Sequence, residues 1–207
     1  MSDQAVRGIW PPHEAFYIEA MLFCTTTALE AAAEVQAALE FGAQHAPASE
    51  EWQDSARTIV NGVQTIALQA AAISRYLWPV RTKEPHLSRA HRLRSGLAVS
   101  DDSCLRDREL RNTLEHFDER LDEFCQSLIA GVILPTYVGP LNGEPEVPTH
   151  FFRAYYTNIG VFEVLGNRFE MTPFLEEIQG LHARLWACGQ SGGRIPPSPP
   201  TALSQGA

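Results

Sequence analysis

LRNTLEHFDERLDEFCQSL, residues 110–128, places apolar side chains at Leu110, Leu114, Phe117, Leu121, Phe124 and Leu128. Alternating steps of four and three lay these residues along one side of a helix as a continuous stripe. At about 100° per residue, Asn112, His116, Glu119 and Glu123 fall opposite the stripe, while Arg111, Glu115, Asp118 and Asp122 line its flank. The stripe would anchor the helix, and an Arg, an Asn and a His would stand at fixed positions on a surface the core does not consume. Asp101-Asp102-Ser103 offers a start for this helix, which is expected to reach residue 129.

Working upstream, residues 13–44 read as a helix that opens after Pro11-Pro12, with Ala31, Ala32, Ala33, Ala37 and Ala38 forming small faces that let a neighbour approach closely. Past the break at Ala46-Pro47-Ala48, Ser49 is a good N-cap with Glu50 and Glu51 in the first turn. Ile59, Val63, Ile66, Ala70, Ile73 and Leu77 then repeat the four-three spacing until Pro79 stops it. A short basic helix is expected over 87–97. Three long helices with matching seams predict an antiparallel bundle.

Downstream the pattern changes. Residues 132–148 contain Pro135, Gly139, Pro140, Gly143, Pro145 and Pro148 and read as a long ordered loop. Residues 151–156 and 161–165 read as strands of a hairpin around Thr157-Asn158-Ile159-Gly160, with a third strand at 168–171. Thr172 as N-cap, Pro173 at the first helical position and Glu176-Glu177 in the first turn begin a last helix through residue 186. The expected fold class is mainly α: an antiparallel helical bundle with a small C-terminal β-hairpin and a final helix. It forms one domain over 13–188, with the hairpin inserted at about 150–171, an N-terminal extension over 1–12 and a disordered Pro/Gly-rich tail over 189–207.

A chain of 207 residues suits one domain. Its four cysteines show no C-x-x-C pairing, which suggests neither a zinc site nor a disulfide framework and fits a reduced, cytoplasmic setting. Residues 16–29 are interrupted by Glu19 and Thr25-Thr26-Thr27, too polar for a bilayer span, so no membrane partner is expected. A net charge of −9 argues against a general nucleic-acid coat. Charge is unevenly spread, however, because residues 75–111 hold nine of the sixteen basic side chains against five acids. A polyanion could be held there, with Arg92, Arg94, Arg106 and Arg108 as binding residues, although the molecule as a whole repels it. The plainer reading is a solvated charged connector.

Arg111-Asn112-Thr113-Leu114-Glu115-His116 resembles the motif of the HEPN superfamily, in which an R-x4-6-H element, commonly with a polar residue after the Arg, lies on one helix of an α-helical bundle. The helix pair 52–77 and 103–129 looks like that family's core, and the resemblance covers residues 15–130. It implies a metal-independent endoribonuclease of the kind that serves as a toxin or defence effector, with Arg111 and His116 as active residues and Asn112 as their polar companion. It also implies a two-fold homodimer, RNA as substrate, an antitoxin or other protein as a candidate partner, and no metal or cofactor.

The side chains suit that chemistry. Without a metal, the RNA 2′-OH attacks the neighbouring phosphorus, which calls for a proton-transfer group and a cation for the added charge. An imidazole can move protons near neutrality, and a guanidinium forks onto phosphate oxygens. Arg111 and His116 point about 140° apart on one helix, so two facing copies would be needed to bring both groups into one cleft.

The acids at Glu115, Asp118, Glu119, Asp122 and Glu123 should repel RNA, and Arg111 can pair with Glu115 at the i, i+4 spacing. The alternative is therefore a non-catalytic dimeric helical module that binds a protein or a nucleotide. His116, Glu119 and Glu123 share a face, but no second helix offers a matching Glu-x-x-His, so no metal site is expected. Gly-rich phosphate loops and Gly-x-Ser-x-Gly elbows are missing from the sequence.

Overall fold

The computed structural model describes residues 8–47, 49–127, 130–143 and 147–197. After a 3-10 turn at Pro11–His13, α1 spans Glu14–Gly42 and α2 spans Glu50–Leu77. All six residues of the α2 seam are buried, and Ser49 caps the helix by accepting a hydrogen bond from the Trp52 N–H at 3.1 Å. The two long helices pack closely and antiparallel because the contact is built from small residues. Ala28, Ala31, Ala67 and Ala70 are buried, and a Cβ at Gly62 would collide with Val35 of α1. The short helix α3, His86–Gly96, follows. Among the described residues, no helix is long and apolar enough to cross a membrane.

The long helix expected from residue 103 does not form. A 3-10 turn at Cys104–Arg106 precedes α4, Arg108–Glu115, and the chain breaks at His116 before α5, Phe117–Ser127. Two surfaces compete for the one stripe. Leu110, Arg111, Thr113 and Leu114 are buried in α4, which packs on α2, whereas Phe117 meets Phe152 of the sheet edge-on at 5.5 Å between ring centroids. A straight helix cannot serve both, so the axis turns between Leu114 and Phe117. The end of the expected stripe, Leu128 with residue 129, lies outside the described residues.

The hairpin is larger than expected. Four strands, β1 (Val132–Gly139), β2 (Thr149–Tyr156), β3 (Val161–Val164) and β4 (Asn167–Glu170), form one sheet in the order β1-β2-β3-β4. β1 and β2 are parallel, and the other neighbours are antiparallel. The expected loop over 132–148 is thus corrected, because its first half is the edge strand. Pro135 is tolerated there for a geometric reason. Val132 donates its N–H to Pro148 O at 2.9 Å, so in a parallel ladder the even-numbered residues face β2 and Pro135 lacks a donor only on the free edge. Because the two strands run the same way, the chain must return about 23 Å between the end of β1 and the start of β2; residues 144–146 of this connection lie outside the described residues. Leu141 at its start packs against the outer cluster of Ala154, Tyr156 and Val161. β3 and β4 are joined by Leu165 and Gly166 at φ +50° and +77°, the pattern of a tight two-residue hairpin.

The last helix, α6, spans Met171–Gln190, so Thr172 lies inside it rather than capping it. α6 packs on α1, where Thr25 Oγ1 and His182 Nδ1 lie 2.9 Å apart, and it takes the bundle position assigned above to 103–129. Helix, the two 3-10 turns included, accounts for 61% of the described residues: they are mainly helical, with a small four-stranded sheet and a final helix. The expected domain limits widen at both ends. Ile9 and Ile195 are buried in the main core, so the described part of the tail is held rather than free, and residues 198–207 lie outside the described residues.

Candidate functional site

Asp107 starts α4 by accepting hydrogen bonds from Glu109 N at 2.7 Å and Leu110 N at 3.2 Å. His116 ends it as the C-cap, with φ −112° and ψ 42°. Asn112 and His116 face solvent, as the sequence suggested. The His116 ring stands with Nδ1 3.5 Å from Glu119 Oε2.

Arg111 does not share that surface. It is only 5% exposed and donates from Nη1 to Trp78 O at 3.1 Å. Its Nε lies 3.8 Å from Glu115 Oε2 and has no hydrogen-bond partner. Glu115 in turn lies 3.3 Å from Arg75 Nη1. The expectation that the core leaves Arg111 free is therefore corrected. The cause is the end of α2, whose last carbonyls have no helical partners. Arg111 takes Trp78 O, Arg94 takes Leu77 O, and Arg89 takes Arg75 O at 3.1 Å. Three guanidiniums thus close the C-terminus of one 28-residue helix, where both donors and positive charge are favoured.

The four arginines expected to hold substrate divide in two. Arg94, besides its carbonyl, pairs with Asp101 at 3.3 Å and lies over the Trp78 ring at 5.6 Å. Arg92 donates from Nε and Nη2 to Glu14 Oε1 at 3.1 and 2.8 Å and reaches Pro196 O and Ile195 O at 2.6 and 2.7 Å. Both are committed to the fold. Arg106 and Arg108 remain exposed beside a cleft bordered by β4 and the start of α6, where Arg106 donates to Asp101 O at 3.0 Å. The structure brings neither of them to His116.

Other reactive groups are quiet. Burial pushes the Cys24 and Cys188 thiols up, and burial with the neighbouring Glu177 carboxylate pushes Cys104 up to about 12. These thiols stay protonated and unreactive near neutrality. Among the described residues, no group of three or more His, Cys, Asp or Glu is arranged to hold a metal ion.

Two features escaped the sequence reading. A cleft of about 490 Å³ lies between the first half of α2 and strands β1 and β2, with Arg153 on its wall. The only sequence signal for it is a lone cation within the aromatic run Phe151-Phe152-Arg153-Ala154-Tyr155-Tyr156. The second is an exposed aromatic row on α1, Phe16 and Phe23, with Trp10 just upstream. Its seven-residue spacing is legible, but apolar residues lie on so many sides of this helix that no single stripe stands out. The chain matches no family model, no curated protein and no solved structure, so the HEPN resemblance rests on the motif and its helical setting alone.

Proposed function

We propose that the protein is a non-catalytic helical module that acts by association, in the first instance with a second copy of itself. The observation that carries this reading is the face of α1 that none of the other described residues covers. Phe16 and Phe23, 71% and 69% exposed, lie two turns apart on the same side. Trp10 packs edge-on to His13 at 4.7 Å, and the His13 ring stands 6.0 Å from Phe16. Single exposed apolar side chains are ordinary, but an aromatic row marks an interaction surface.

Charge along that face favours self-association. At about 100° per residue, Glu30 and Glu34 continue the row of Phe16 and Phe23, and both are exposed. Arg75, its side chain 60% exposed, lines a cleft together with Phe23. Two copies crossing antiparallel about an axis near Phe23 would set the acidic end of each against Arg75 of the other, the self-complementarity an isologous interface needs. The nuclease reading, in contrast, requires Arg111 to leave Trp78 O and meet His116 in a shared cleft, and the burial of Arg111 favours association over cleavage.

Sedimentation velocity tests the proposal. Wild type should sediment as a dimer, and Phe23→Ala should weaken the dimer by about 2–4 kcal/mol, since each interface loses the ring twice, or about 30- to 700-fold in Kd. A monomeric wild type at high concentration would sink the reading. Wild type incubated with mixed RNA and EDTA should leave the RNA intact; cleavage that Arg111→Ala and His116→Ala both abolish would put the nuclease in its place.

A further inference from the structure

Arg153 is a half-buried cation without a counter-charge among the described residues. Its Nη1 donates to Gln64 Oε1 at 2.7 Å and Asn61 Oδ1 at 3.3 Å, both neutral acceptors, and its Nε is shut from solvent with no partner. Its guanidinium also lies 5.2 Å from the Phe152 ring centroid. Burial alone shifts its titration, downwards, and no carboxylate of the described residues acts on it. That isolation is unusual in a chain with 25 acidic side chains for 16 basic ones, since a buried charge is ordinarily paired. Arg57, on the same cleft, is exposed and has an acidic partner, Asp54, at 3.0 Å.

The surroundings of Arg153 have the make-up of a small-molecule site. Trp52, Val60, Tyr137 and Val138 supply apolar wall, and Asn61 and Arg153 supply polar groups. The volume of about 490 Å³ lies within the range of about 300–1,000 Å³ common to ligand clefts. Arg153 cannot swing away from the cleft without losing both amide acceptors on α2, so it is held in place before a ligand arrives. We infer that this cleft binds a small organic anion, with a carboxylate or phosphate group on the Arg153 guanidinium and a flat apolar body against Trp52. A planar fork suits either head group, and the indole face suits an aromatic body. The site lies on α2, β1 and β2, apart from the α1 face, so it does not depend on self-association.

Calorimetric titration of the full chain tests this with two matched pairs of probes, indole-3-acetate against indole-3-acetamide and AMP against adenosine, together with inorganic phosphate. At least one anion should bind at millimolar concentration or below while its neutral twin does not, and the anion that binds identifies the head group. Arg153→Gln, which keeps a hydrogen-bonding amide but loses the charge, should weaken that binding about 30-fold or more. The inference is overturned if neither anion binds, if a neutral twin binds as well as its anion, if phosphate alone binds as tightly as AMP, or if Arg153→Gln binds like wild type. Should that variant fail to fold, the comparison of twins on the wild type decides the matter alone.

Discussion

Replacing Arg111 by Ala separates a structural role from a displayed one. The side chain is 5% exposed, and its Nη1 hydrogen bond to Trp78 O, 3.1 Å long, has a charged donor, worth about 1.5–3 kcal/mol. Truncation also leaves Trp78 O at the end of α2 without its donor, leaves Glu115 with Arg75 alone, and empties the volume of a long side chain between α4 and α2. Together these losses come to roughly 3–4 kcal/mol, a large part of the 5–15 kcal/mol that holds a typical domain together. His116→Ala removes an exposed ring from a helix end and should stay within about 0.5 kcal/mol of wild type. In urea, with a slope of about 2 kcal/mol per molar, Arg111→Ala should unfold roughly 1.5–2 M earlier than wild type, and His116→Ala close to it. Equal midpoints for the two variants would refute the assignment of Arg111 to the cap of α2.

The buried Glu14 carboxylate accepts from Arg92 and Arg194, at 2.8 and 3.0 Å for the shortest contacts, and from Ile195 N at 3.1 Å; Glu14→Gln should cost about 3–5 kcal/mol and speed proteolysis within 191–197, and an unchanged cleavage rate would count against the carboxylate as the clasp of that segment. A second expectation concerns high pH. Burial raises the folded-state values of Cys24, Cys188 and Tyr155, and burial with a carboxylate neighbour raises Cys104 and Tyr156 to about 12. Because these groups lose their protons more readily when unfolded, the stability they contribute is complete below their ordinary values and declines from about pH 9 towards 12; a urea midpoint that holds level or rises from pH 8 to pH 10.5 would contradict this.

Elements whose signal is local were legible. The Ser49 cap and the six-residue seam of α2 depend on neighbours three or four positions away, and the structure keeps every one of them. β1 was hidden because Pro135 marks a strand as broken unless one knows which edge its missing N–H would have faced, and that depends on pairing with a strand more than a dozen residues on. The break at His116 leaves no trace in the letters, since no Pro or Gly stands near it. It follows from α2 and the sheet presenting surfaces that are not collinear. Arg111 was placed correctly on the flank of its helix, between Leu110 and Leu114, but a helical wheel shows direction and not what lies there. Here the end of α2 lies there.

The basic run over 75–111 teaches the more general point. A local excess of cations reads as a surface for polyanions, yet Arg89, Arg94 and Arg111 are turned inward onto the carbonyls of Arg75, Leu77 and Trp78 at the end of α2, and Arg92 clasps Glu14. The sequence holds a clue to this use, because only Lys83 among the sixteen basic side chains is a lysine. A solvated charged face can be built as well from ammonium groups, which hold water tightly, whereas a guanidinium sheds water more easily and spreads several donors over a plane. Arginine is also the basic residue everywhere else in the chain, so the choice permits the capping of that helix from within the chain, and the position of the guanidiniums at its end is what uses it. By the same reasoning Arg153, an arginine set among aromatic residues with only amide acceptors among the described residues around it, has capacity for the anion inferred above.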